Sequence, residues 1–273
     1  MKKTLIALAV ASFAVVSGSA VSDSAMEWSP NGLGKPFRMG GTLTPKDVVT
    51  PWEVKTGPGA DGANLNAVIK KGRNFVDINV ERAIPVLGIR NANQNGFVGI
   101  AVTGNPVPKI SYGDNAVNVD SFEGGTTTLT LDVNNTSGSK IGTLTAPFSA
   151  AGYSTWIDND NASGSVQLMS SSGGAYYGGL GKTSSAVRPD VQSAYDLLKS
   201  LDSEYVAKTP LGTTLGSNIV DNEMFNNPND RFKSAYGAGI EAGKTIRITL
   251  SSPASGDDPI AWKATLPVTV SYQ

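Results

Sequence analysis

The side chains that most often carry chemistry are the ones this chain lacks, for it contains no cysteine and no histidine. Their absence removes Ser-His-Asp and Cys-His nucleophilic centres and the usual zinc ligand sets. Without disulfides, burial and hydrogen bonding alone must hold the chain together. Three short motifs invite a chemical reading. Gly57-Pro-Gly-Ala-Asp-Gly62 matches G-x-G-x-x-G letter for letter. Pro58 and the lack of a long following helix spoil the βαβ setting a dinucleotide site needs, so the motif reads as a turn. Gly178-Gly-Leu-Gly-Lys-Thr183 ends like a phosphate loop, yet Tyr176 stands where the first glycine is required. Asp158-Asn-Asp-Asn161 opens like a calcium loop but lacks the later bidentate glutamate, and reads as a solvated turn. The expectation is therefore no catalytic residue, no cofactor and no metal.

The stretch around which the remaining elements are organised is the last one. Ile260, Trp262, Ala264, Leu266, Val268, Val270 and Tyr272 alternate with Lys263, Thr265, Thr269 and Ser271. Strict period-two alternation predicts a strand with one buried and one polar face. The chain stops one residue after Tyr272, and Pro267 has no N–H, which suits an edge position or a bulge. A long apolar strand with an open edge invites aggregation unless another strand covers it.

The chain has 273 residues, rich in Gly and Pro, with 40% hydrophobic and 16% charged residues. That length accommodates one large β domain or two small ones. Residues 1–20 read as a secretory leader: Lys2 and Lys3, an apolar run, and Gly18-Ser-Ala20. The apolar run 5–16 is too short to span a bilayer. Cleavage after Ala20 fits the small-x-small rule, with Ala25 as the rival. Removing the leader takes away Lys2 and Lys3 only, so the formal charge falls from −1 to −3. Mild acidity argues against nucleic acid as a partner.

Short β-branched runs separated by Gly, Asn and Pro predict strands at 52–56, 75–80, 84–89, 97–102, 107–112, 127–133 and 141–146, the pattern of a sandwich. Residues 134–139 read as a hairpin connection. Between about 152 and 229 the pattern changes. Residues 189–201 predict one helix, with Pro189 at a first helical position and Val191, Ala194, Tyr195, Leu198 and Leu201 on one apolar face. Strand chemistry returns over 235–250. Near the start, Leu33, Phe37, Met39, Gly41 and Leu43 share one parity in an arm that ends in a strand, and Lys35 interrupts its apolar face.

Several stretches together resemble the FaeG-like fimbrial subunits, of the kappa clade of chaperone–usher pili. They are Met1-Lys-Lys-Thr-Leu-Ile-Ala-Leu-Ala9, Met39-Gly-Gly-Thr-Leu-Thr44, Trp52-Glu-Val-Lys-Thr-Gly57, Lys140-Ile-Gly-Thr-Leu144, Tyr236-Gly-Ala-Gly-Ile-Glu-Ala-Gly-Lys-Thr245 and the terminal Trp262 to Tyr272. The match is poor between about 149 and 231. The resemblance implies an all-β, incomplete immunoglobulin-like sandwich completed by donor-strand exchange, with an inserted segment containing one helix. Residues 26–44 would be the N-terminal donor arm, and 45–273 the pilin domain with an inserted subdomain at about 150–232. Leu33, Phe37, Met39, Gly41 and Leu43 would form the donor face. Trp262, Ala264, Leu266, Val268, Val270 and Tyr272 would line the acceptor groove and the chaperone-binding strand. The implied partners are a periplasmic pilus chaperone, an outer-membrane usher, and other copies or related subunits. The implied function is a structural and adhesive subunit of a surface fimbria, major or minor, attaching to host cells and not acting as an enzyme. In adhesive members the middle region carries a glycan-binding surface, where Tyr153, Trp156, Tyr176 and Tyr177 would stack on a receptor sugar or else belong to the core. The competing reading is a self-contained secreted carbohydrate-binding sandwich.

Overall fold

The computed structural model describes residues 50–59, 65–100, 106–211 and 219–272. The leader and the arm bearing Leu33 to Leu43 lie outside them. In chain order the strands are β1 (Trp52–Thr56), β2 (Phe75–Asn79), β3 (Ile84–Asn91), β4 (Phe97–Val98), β5 (Pro108–Tyr112), β6 (Thr126–Asn134), β7 (Lys140–Ile157) and β8 (Ser163–Leu168). The helix α1 (Val191–Leu201) follows, then β9 (Ile219–Asp221), β10 (Arg231–Ile240), β11 (Thr245–Leu250) and β12 (Val268–Tyr272). Ten strands form one sheet with the order β1-β3-β10-β7-β11-β2, while β12 and β5 form a separate antiparallel pair.

The 18-residue β7 is the centre of the large sheet. It pairs with β6 and β8 along one edge and with β11 and β10 along the other. Its first half alternates, with Leu144, Ala146 and Phe148 facing the main core. From Phe148 to Ser154 every residue is buried. The second face is covered there by α1, which packs Val191, Ala194 and Leu198 against Ala151, Tyr153 and Ala235. A strand covered on both faces loses its alternation. That is why sequence periodicity ends the strand at 146 while the structure carries it to Ile157. Residues 150–157 and 231–232 are thus parts of the large sheet, and Val48–Gln273 forms one compact unit.

The helix starts two residues later than the sequence suggests. Asp190 is extended and is the N-cap, its side chain accepting a 2.7 Å bond from the Ser193 N–H, so Pro189 stands just outside. The Asp190 N–H donates to Ser193 Oγ, which closes the capping box. After the helix, Tyr205 lays its ring on the registered pair Gly88 and Gly237 of β3 and β10. A Cβ at Gly88 would sit 2.1 Å from the Tyr205 ring, so only glycine permits this approach. On the sheet's other face, Tyr112 of β5 meets the Phe148 ring edge-on at 5.2 Å. Its hydroxyl lies 2.7 Å from that of Tyr236 in β10, which ties the small sheet to the large one.

Candidate functional site

Residues 262–272 form the candidate site. Trp262, Ala264, Leu266, Val268, Val270 and Tyr272 all pack against the main core and all remain only partly buried. The residues between them are exposed. Ile260, expected on the same inward face, is 44% exposed and takes no part in it. The core behind the strand is closed, with Leu87, Ile110, Val133 and Phe148 at 2% exposure or less.

The backbone explains why this one layer stays open. β12 pairs with β5 in the register Val268↔Tyr112, Val270↔Ile110 and Tyr272↔Pro108. The Gly113 N–H donates to the Pro267 carbonyl at 2.9 Å, so residue 267 faces β5. Backbone groups alternate sides along an antiparallel strand, so 269 and 271 also face β5 while 266, 268 and 270 face away from it. The far edge of β5 is occupied, since the Ile110 N–H donates to the Tyr177 carbonyl and the Tyr176 N–H to that of Pro108. Farther back, Lys263 and Asn134 exchange both backbone bonds at 2.9 Å. Beyond β12's other edge, no backbone partner is found among the described residues. Pro267 ends the ladder because it cannot return the bond from Gly113. Gly113 must lack a side chain, for a Cβ there would lie 2.8 Å from the Pro267 ring.

The inward face carries no charge. Lys109 is registered opposite the outward Ser271, and its Nζ lies 5.8 Å from the centre of the Tyr177 ring. Burial pushes the Tyr112 phenol well above its ordinary range, with the Tyr236 hydrogen bond opposing, so the hydroxyl beneath the groove stays neutral. Such a surface is able to add an apolar strand edge-on, with ladder bonds for affinity and alternating pockets for selectivity.

The other motifs are accounted for locally. Lys182, the lysine of the phosphate-loop look-alike, pairs with Asp120 at 2.5 Å. Asp158 Oδ1 accepts the N–H groups of Asp160 and Ala162 and closes the turn between β7 and β8. No cluster suited to a metal occurs among the described residues. Of the aromatics considered for sugar stacking, Tyr153 and Tyr176 are 0% exposed, so neither offers a face to a ligand in this fold. The Tyr153 hydroxyl donates to the Thr209 carbonyl, and that of Tyr176 lies 2.9 Å from Ser234 Oγ. Trp156 and Tyr177 are partly buried. The clamps Gly113 and Asn134 escaped the sequence reading. Only Pro267 hinted that something must meet the strand where its ladder stops.

Fold and site together define a β-sandwich protein whose final strand, among the described residues, has one edge without a backbone partner and an apolar face that is only partly buried. The chain belongs to the family described as fimbrial, major and minor subunit, whose profile matches residues 1–273. It is similar to the F41 fimbrial protein of Escherichia coli, 26% identical over 291 residues with 100% of both chains covered. It is also similar to the K88 fimbrial proteins AD and AB of Escherichia coli, at 27% over 296 and 26% over 295 residues, again with 100% of both covered. It is accordingly a fimbrial subunit, exported to the cell surface and assembled there with other subunits.

Proposed function

We propose that this subunit assembles by donor-strand exchange through the chaperone–usher pathway. A periplasmic chaperone covers the open edge of residues 262–272 first. At the outer-membrane usher, the N-terminal arm of another subunit replaces it, with Leu33, Phe37, Met39, Gly41 and Leu43 on the inserted face. The observation that carries this reading is the inward row of half-buried apolar side chains beside an edge without a backbone partner among the described residues. Burying Phe37 and Met39 there would contribute roughly 1.5–3 kcal/mol each. The subunit has no catalytic role in this scheme, in keeping with a chain that has neither histidine nor cysteine. The fibre attaches to host cells, and Trp156 and Tyr177 are the aromatics retained as sugar contacts.

Expression of the mature chain with and without its chaperone tests the proposal. Without it the subunit should polymerise or be degraded; with it, a soluble one-to-one complex should form. A stable monomer made alone, by size-exclusion chromatography, would sink the proposal.

A further inference from the structure

A different edge lies open at β1, which ends the large sheet and pairs only with β3. The Gly57 N–H donates to the Val86 carbonyl and the Ala92 N–H to that of Pro51, so residues 51 and 57 face β3. By alternation 53 and 55 face it too, and the N–H and C=O groups of Trp52, Val54 and Thr56 point outward. Those outward groups have no backbone partner among the described residues. Val54, in the middle of the row, is 41% exposed. We propose that β1 is a self-recognition edge, which pairs antiparallel with β1 of a second copy of this chain about a two-fold axis at Val54.

Charge selects both the occupant and the register. Glu53 and Lys55 flank Val54 on either side with opposite signs. An antiparallel copy centred on Val54 sets each Glu53 directly opposite the other copy's Lys55. Trp52 then stands opposite Thr56, and the outward backbone groups of both edges find donors and acceptors. Centring the axis on Lys55 would oppose two ammonium groups, and centring it on Glu53 two carboxylates. A parallel copy in register would align like charge with like. Like charges directly opposite destabilise a strand pair, and opposite charges stabilise it. Charges usually guard an edge strand; these two repel the other registers and admit one. Within the subunit Glu53 holds Lys208 and Arg90, and Lys55 holds Asp202 at 2.6 Å. The incoming Lys55 thus extends a chain of alternating charge.

Tyr205 is a second, independent observation at the same place. It is 2% exposed, yet its hydroxyl has no hydrogen-bond partner. A Cβ at Gly237 would meet Cδ2 of its ring, and one at Gly88 would meet Cε1 and Cζ, so the hydroxyl end lies toward β1. Lys55 is registered to Gly88, and Glu53, Lys55, Arg90, Glu204 and Tyr205 line a cleft there. The second copy's Lys55 brings an ammonium donor to this face of the sheet. The edge is five residues long, too short for a stable complex of two subunits alone. Its effect belongs to arrays, where many weak contacts act together. A two-fold contact closes on itself and cannot propagate a fibre, so it joins subunits of separate fibres side by side. It uses neither β12 nor the N-terminal arm.

Purified fibres test the edge. The chain has no cysteine, so a disulfide reports an introduced residue. Val54→Cys sets the new thiol opposite its own copy, about 5.5 Å away at Cα and within disulfide reach. Oxidised fibres should then give a band of two subunits, and nothing larger, on a denaturing non-reducing gel. Thr56→Cys is at least as exposed but lies two residues from the axis, so it should stay monomeric. Val54→Pro removes an outward N–H and no bond to β3. It should abolish fibre bundles in electron micrographs, with the subunit's unfolding temperature unchanged. Equal dimer from both cysteine variants, dimer from neither, or Val54→Pro fibres that bundle like wild type overturns the self-recognition edge. Fibre yield is scored separately, and its loss would bear on strand exchange instead.

Discussion

Phe148 in β7 and Val268 in β12 point into the same core, yet Phe148 is 0% exposed and Val268 is only half-buried. Their strands differ in neighbours rather than in chemistry. β7 has partners on both edges and α1 over part of its second face. β12 has β5 on one edge and no partner on the other among the described residues. Apolar alternation therefore states a demand for burial without saying which chain meets it. In the centre of the sheet the demand is met locally, and at β12 it is met only in part among the described residues.

Removing the same kind of contact in the two regions should break or confirm that contrast. Phe148→Ala leaves a cavity in a closed core and should cost about 3–5 kcal/mol, read as a lower midpoint of thermal unfolding. Val268→Ala should cost the isolated subunit less than about 1 kcal/mol, because water already reaches that side chain. Its effect should instead appear as weakened polymers, dissociating at lower denaturant concentration than wild type. Equal losses of subunit stability in the two variants would mean that the groove is ordinary core.

A smaller effect concerns the closed half alone. Glu53 of β1 is held below its ordinary 4.5 by hydrogen bonds from Lys208 and then Arg90. Burial works to raise Asp202, but bonds from Lys55 and the Glu204 N–H hold it below its ordinary 3.8. Folded values depressed in this way give stability that is present above the unfolded values and lost as pH falls through the folded ones. Glu223 works in the opposite sense, since burial raises its carboxyl. Glu53→Gln should lower the unfolding temperature slightly at neutral pH. The gap to wild type should close as pH falls through the lowered folded value of Glu53, where the wild type loses the charge that the variant never had. A gap that stays constant from neutral pH to acid would show that the clamp between β1 and the residues after α1 does not depend on charge.

Much of this was legible in the residues. Strands at 75–79, 108–112 and 126–134 announce themselves by β-branched runs between turns, and the inward parity of 262–272 follows from alternation alone. What could not be read was anything decided by a distant neighbour. The second half of β7 runs through Ala150, Ala151 and Gly152, which carry no period because both faces are covered. Type alone leaves Tyr153 and Tyr176 between a sugar face and the core, and hydroxyl partners from far along the chain let them be buried. The Ile260 error has a similar cause, since the Lys263–Asn134 bridge marks where the inward row begins.

Pro267 has a consequence for accuracy in folding. A strand that slides by one residue exchanges its two faces, and for β12 that would turn Thr269 and Ser271 inward and display Val268 and Val270. The proline ring fits only against the bare backbone of Gly113, and its missing N–H matches a position where the ladder ends. Any shift would press the ring against a residue with a side chain and leave a neighbouring carbonyl without a donor. One residue thus acts as a stop that sets where the strand halts as it zips onto β5.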